Sequence, residues 1–131
     1  MSYSKIKSYA KINLALNIVG KTFLLHKIES IVSFLNLYDE ISIRTIKNKR
    51  HRIKFIGKFS SNINSNNTIS KLLKIIEKKK ILKNTKFEIK IKKNIPSEAG
   101  LGGGSMNAAA ILKFLIKKNL INISKRELYK I

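Results

Sequence analysis

Apolar and polar residues alternate along INLALNIV (12–19), where Ile12, Leu14, Leu16 and Ile18 interleave with Asn13, Ala15 and Asn17. That is the period of a β-strand with one buried face. KIESIVSFLNL (27–37) is a second apolar, β-branched run; the polar triplet YDE (38–40) breaks it, and ISIRTI (41–46) predicts a further strand. HRIKFIG (51–57) reads as another strand, closed by Gly57, and KFSSNINSNN (58–67) as a polar loop. The period then changes. Ile69, Leu72, Leu73 and Ile76 recur at i, i+3, i+4 and i+7, which predicts a helix opening near Asn66 or Asn67 as its cap. KFEIKIK (86–92) returns to period two, with Phe87, Ile89 and Ile91 on one face. A helix is expected over 106–118, with Ala108, Ile111, Leu112, Leu115 and Ile116 as its apolar positions. In SKRELYKI (124–131), Ser124 and Glu127 are spaced as a capping box for a last helix. This order of elements predicts an α+β fold, not alternating βαβ throughout.

Between the strand at 86–92 and the helix at 106–118 lies NIPSEAGLGGGSMN (94–107), with the one proline of the chain, Pro96, and four of its six glycines, Gly100, Gly102, Gly103 and Gly104. A glycine loop entering a helix aims backbone N–H groups and the positive end of the helix dipole at one spot. Without Cβ atoms an anion can approach that backbone closely. Ser105 is placed as N-cap or as a hydroxyl donor to the same anion. The expected ligand is a phosphate. A Walker A loop would end in Gly-Lys-Ser/Thr, whereas Gly104 is followed by Ser105 and Met106. A dinucleotide fingerprint would follow the first strand of a βαβ unit with a different glycine spacing, so that loop is excluded too.

The charge is extreme: 28 Lys+Arg against 7 Asp+Glu, a formal +21 over 131 residues. Nucleic acid is the first partner such a balance suggests. Yet the guanidinium forks are only Arg44, Arg50, Arg52 and Arg126, and the lysines are spread among Ile and Asn, the residues that A/T-rich codons specify. Arg, with its bidentate geometry, is the usual base and phosphate reader. The chain has no Cys, which fits a reducing cytoplasm and rules out a disulfide framework or a Cys-based metal site. No apolar run approaches the ~18 residues of a membrane span, and MSYSKIKSYAKIN lacks the layout of a signal peptide. A cytoplasmic protein without membrane contact is expected. His51, between two arginines, is expected to have no role in a site.

PSEAGLGGGSMNAAA (96–110) resembles the second motif of the GHMP kinase superfamily, a proline and glycine-rich loop followed by an alanine-rich helix. YAKINLALNIVGK (9–21) and HKIESIVSFLNLYDEISI (26–43) are similar to the opening segments of the branch that phosphorylates a cytidyl-linked methylerythritol. The resemblance covers nearly the whole chain. It implies the GHMP kinase N-terminal domain, a ribosomal protein S5 domain 2-like fold with a mixed or antiparallel sheet and helices on one face. It implies ATP with Mg2+ as cofactor and transfer of a phosphoryl group to a hydroxyl, the metal taking no ligand from protein side chains. The family's catalytic lysine falls on Lys11, which would orient the hydroxyl and stabilise developing charge. Asn13 falls in the substrate site, and His26 on a contact to the cytidyl group. Pro96, Ser97, Glu98, Ala99, Gly100, Leu101, Gly102, Gly103, Gly104, Ser105 and Met106 would cradle the phosphates. Asn67 falls at the start of the adenine-side helix.

The match departs in two places. The family's Asp-Gly-Tyr-His becomes KTFLLH (21–26), so Leu24 and Leu25 stand where a glycine turn and an aromatic partner of the base would be. The family's general-base Asp belongs to a segment beyond residue 131, and among the acids present Asp39 and Glu40 match a structural strand start while Glu98 would oppose a phosphate. The 131 residues are therefore expected to be a truncated or split kinase, inactive alone, with a C-terminal domain absent and part of the apolar surface uncovered. A second polypeptide carrying the missing half and a gene remnant are both open origins. The alternative reading is a small basic nucleic-acid-binding protein using the same general fold, with no sequence-specific readout expected.

Overall fold

The computed structural model describes residues 2–61, 63–82 and 85–128. Seven elements follow in the order β1 (Ser4–Lys21), β2 (His26–Ile46), β3 (Arg52–Ile56), α1 (Thr68–Lys78), β4 (Lys86–Lys92), α2 (Gly103–Lys117) and α3 (Lys125–Leu128). The strands form one mixed sheet in the order β1-β2-β4-β3, with β1–β2 and β2–β4 antiparallel and β3–β4 parallel. The parallel pair needs a crossover, and α1 supplies it.

Alternation on β4 sends Phe87, Ile89 and Ile91 to one face, where they meet Ile41 and Ile43 of β2. Ile69, Leu72, Leu73 and Ile76 of α1 and Ile111 and Leu115 of α2 cover that face and are buried with it. These are the stripes the sequence periodicity selects. On the opposite face Arg44 Nε donates to Glu88 Oε2 at 2.6 Å, and the Tyr3 hydroxyl donates to the same oxygen at 2.8 Å. His51 is largely buried: its ring stacks on Phe87, and its Nδ1 accepts the Phe87 N–H at 3.0 Å.

Three sequence expectations change. First, 27–37 and 41–46 are one strand: YDE does not break β2, because Asp39 is fully buried with partners supplied from far along the chain. Second, α2 begins at Gly103, not Met106. Third, the alternating face of 12–19 is not buried: Leu14, Leu16 and Ile18 are exposed, Ile18 by 68%. Beyond Lys11 the β1–β2 hairpin stands clear of the helices, and Ile28, Ile31, Val32 and Phe34 are exposed with it. Its turn closes without glycine. Thr22 N–H and Oγ1 both donate to the Leu25 carbonyl at 2.7 Å, and Leu25 N–H donates to Thr22 Oγ1 at 3.1 Å, a side-chain-closed turn. The Ser124–Glu127 capping box forms, Ser124 Oγ donating to Glu127 Oε2 at 2.7 Å; the rest of that expected helix, 129–131, lies outside the described residues.

Candidate functional site

The glycine loop connects the end of β4 to α2, and its backbone carries three left-handed residues, Glu98 (φ 60°), Gly100 (φ 70°) and Gly102 (φ 68°). Alternation of right- and left-handed backbone turns successive N–H groups toward one side and makes an anion-binding concavity. Gly102 is the helix cap. It has no side chain to offer, and Met106 N–H donates to its carbonyl at 2.8 Å to close the first turn. Ser105 therefore sits inside that turn, exposed, and is not the N-cap. First-turn amides of a helix have no intrahelical acceptor, so α2 presents its positive end to the loop's hollow.

A second helix start meets it. Asn67 caps α1, its Oδ1 accepting the N–H groups of Ile69 and Ser70, both at 3.0 Å. A Cβ built on Gly104 would lie 3.1 Å from Thr68 Oγ1, so glycine there allows the two helix starts to touch. The result is an open cleft of about 410 Å³ whose walls include Phe55, Asn67, Lys93, Gly103, Ser105 and Asn107. Asn107 is buried, and its Oδ1 has no hydrogen-bond partner among the described residues. Nothing lies within 4 Å of where a Cβ on Gly100 would stand. Open backbone and two helix N-termini make this hollow suited to an anion such as a phosphate.

Lys11 joins the loop from the other side. Its N–H donates to the Leu101 carbonyl at 3.0 Å, and its side-chain Cε passes 3.7 Å from the Cβ position of Gly102. Its Nζ donates to Asn13 Oδ1 at 3.0 Å, and Ser30 Oγ donates to the same oxygen at 3.2 Å. Lys11, Asn13 and the loop are thus brought together. His26 is not: it pairs with Lys21 at the far tip of the hairpin, where Phe23 is 99% exposed. Glu98 is exposed on the loop.

Sequence reasoning missed the support beneath the loop. Asp39 Oδ1 accepts the N–H groups of Asn94 at 2.7 Å and Ile95 at 2.9 Å. Its Oδ2 accepts Asn107 Nδ2 at 2.8 Å and is paired with Lys93 Nζ. An acidic pair, Asp39 and Glu40, inside a long β-branched run was the available signal, since alternation sends one of two neighbours inward and a charge is rarely buried without several donors.

No helix among the described residues is long and apolar enough to cross a membrane. The model of the GHMP kinases N terminal domain matches residues 67–131, the part that holds α1, the loop and α2. Among curated proteins, the 4-diphosphocytidyl-2-C-methyl-D-erythritol kinase of Pelagibacter ubique (strain HTCC1062) is 60% identical over 131 residues, the whole of this chain and 47% of the relative. The kinase of the same name from Clostridium tetani (strain Massachusetts / E88) is 40% identical over 97% of this chain and 45% of its own length. The chain thus spans about half the length of these relatives. Among solved structures, a 4-(cytidine 5'-diphospho)-2C-methyl-D-erythritol kinase superposes with a TM-score of 0.69 at 21% identity, over 92% of this chain and 42% of the other. Mevalonate pyrophosphate decarboxylase from Streptococcus pyogenes superposes with a TM-score of 0.63 at 17% identity, over 93% and 40%. By fold and sequence together, the chain is a GHMP kinase N-terminal domain, related along its full length to 4-diphosphocytidyl-2-C-methyl-D-erythritol kinases.

Proposed function

We propose that residues 1–131 are the nucleotide-phosphate-binding and lysine-bearing part of an ATP-dependent kinase for a cytidyl-linked methylerythritol. The observation that carries this reading is the hydrogen bond from Lys11 N–H to the Leu101 carbonyl, which fixes a cationic side chain at the rim of the glycine loop. The names of the relatives, at up to 60% identity, supply the substrate class.

In this reading the amides that open α2 and the left-handed loop bind the phosphates, and Asn67 borders the base end of the cleft. ATP, held there with Mg2+, supplies the phosphoryl group that is transferred. The Mg2+ in this reading would be held by the nucleotide's own oxygens and water. Lys11 orients the accepting hydroxyl and stabilises charge that develops on the transferred group, with Asn13 fixing the direction of its ammonium.

The proton of the accepting hydroxyl also needs a base. Asp39 is buried under four donors, and among the described residues no carboxylate bonds Lys11 or Asn13. The base is therefore assigned to polypeptide outside residues 1–131, whether from the same gene or a second one. The test is a coupled assay of ADP release with the cytidyl-linked substrate, alongside calorimetric titration of ATP. The 131-residue chain is expected to bind ATP without turnover, and Gly102→Val to lose the binding. Substrate-dependent ADP release by the chain alone would refute the assignment of the base.

A further inference from the structure

The loop that holds the phosphates in the reading above is itself held by a residue that lines no part of the cleft. Asp39 is fully buried in the middle of β2. A carboxylate offers about four acceptor positions, and all four are filled. Asn94 and Ile95 N–H bond Oδ1, while Asn107 Nδ2 and the Lys93 ammonium bond Oδ2. The donors are not random. Lys93, Asn94 and Ile95 stand immediately before the loop, and Asn107 stands in the first turns of the helix after it. One carboxylate therefore clamps both ends of the segment between them. A further bond, Asn94 Nδ2 to the Tyr38 carbonyl at 2.9 Å, fastens the same corner to β2.

Stability alone is a weak reason for such an arrangement, since a buried ion pair roughly breaks even against an apolar replacement. Position is the better reason. A charge-assisted cluster has one satisfied geometry, and here that geometry sets where the loop leaves the sheet and how α2 is turned. Gly103 responds directly, because a Cβ there would lie 3.2 Å from both Lys93 Nζ and Ile95 Cγ2. The loop is seated on the side chains that Asp39 orders.

We propose that Asp39 is the positioning residue of the phosphate loop, setting phosphate affinity through Lys93, Asn94, Ile95 and Asn107 without touching the ligand. This rests on the reading of the cleft as a phosphate site. Asp39→Asn keeps the shape but removes the charge facing Lys93; Asp39→Glu keeps the charge but displaces both oxygens.

The experiment titrates ATP and adenosine separately into the chain and both variants, with circular dichroism and thermal melting to verify folding. Asp39→Asn is expected to weaken ATP at least tenfold while adenosine stays within about twofold, with Asp39→Glu intermediate. If Asp39→Asn does not fold, Asp39→Glu decides by the same comparison. Unchanged ATP affinity in a folded variant would overturn the proposal. So would equal losses of ATP and adenosine, which mark a merely structural residue, and so would failure of both variants to fold. A wild-type chain that binds adenosine as tightly as ATP would refute the phosphate reading itself, a result visible before any variant is measured.

Discussion

The backbone amide of Lys11 and the carbonyl of Leu101 are hydrogen-bonded at 3.0 Å, although one lies in the first strand and the other in the loop before α2. The strand that carries the cation and the loop that carries the glycines are thereby tied through backbone, a tie that does not depend on the Lys11 side chain.

Gly102 is the most sensitive point of that loop. Its φ of 68° lies in the left-handed region, and its Cβ position is 3.5 Å from Met106 Cγ and 3.7 Å from Lys11 Cε. A β-branched residue there is expected to cost ~2 kcal/mol or more, because left-handed backbone alone costs a non-glycine residue ~1–2 kcal/mol. Urea unfolding of Gly102→Val should show a lower midpoint with an unchanged slope.

Lys11→Met is expected to separate binding from chemistry. The ammonium bonds only an exposed Asn13 among the described residues, so stability should move by less than ~0.5 kcal/mol. ATP affinity measured by calorimetry should hold. In a preparation with turnover, kcat should fall by roughly 10²–10³, the usual cost of removing one charge stabiliser.

Asn67→Ala removes the cap of α1 and with it two bonds of 3.0 Å to Ile69 and Ser70 N–H. The expected loss is about 1 kcal/mol, within the ~0.5–2 range for such caps. Denaturant titration checks it, and ATP affinity should fall as well if the α1 start borders the nucleotide.

Acid should destabilise the fold through His51. Burial is the largest influence and holds its pKa below 6.5, and the neighbouring Lys86 acts the same way, against the weaker upward pull of Glu77. A base whose folded pKa is depressed binds its proton more readily unfolded, so the stability it contributes is complete above pH 6.5 and is lost as pH falls through its folded value. Glu77, facing His51 Nε2 at 3.1 Å, is shifted below 4.5, chiefly by its hydrogen bond from Lys86, and adds a loss in the same direction at lower pH. Thermal melts from pH 8 to pH 4 should decline below about pH 6.5, and the first part of that decline should flatten in His51→Gln.

The uncovered hairpin should make the chain sticky. Phe23, Leu24 and Leu25 are 99%, 84% and 73% exposed, at the end of a hairpin whose apolar residues continue to Phe34. Exposed apolar patches of this kind bind dyes and other chains. Fluorescence of an anilinonaphthalene dye and sedimentation velocity should reveal binding and concentration-dependent association, both reduced in Phe23→Ser with Leu24→Asn.

Local chemistry made much of this legible in the sequence. The 3.6-residue stripe of α1 and its Asn67 cap lie within a few residues of one another, and KFEIKIK shows its buried face by alternation alone. The loop was legible because four glycines and a proline are scarce here. What failed was nonlocal. YDE looked like a break because its donors lie more than 50 residues away, at |i−j| values of 54 to 68. The start of α2 was misplaced because glycine disfavours helix while Ser favours a cap; Gly102, left-handed, caps instead. Alternation in 12–19 marked an apolar face, and periodicity carries no information on whether anything covers it.

β2 passes without interruption from the covered sheet, where Ile41 and Ile43 are sealed, to the hairpin, where Ile28 and Ile31 face water. A single strand thus spans a sealed half and a solvent-exposed half. Amide hydrogen exchange should be slow from Asp39 to Arg44 and fast from His26 to Val32, so the tip can open and re-register many times while the half that carries the carboxylate clamp stays shut.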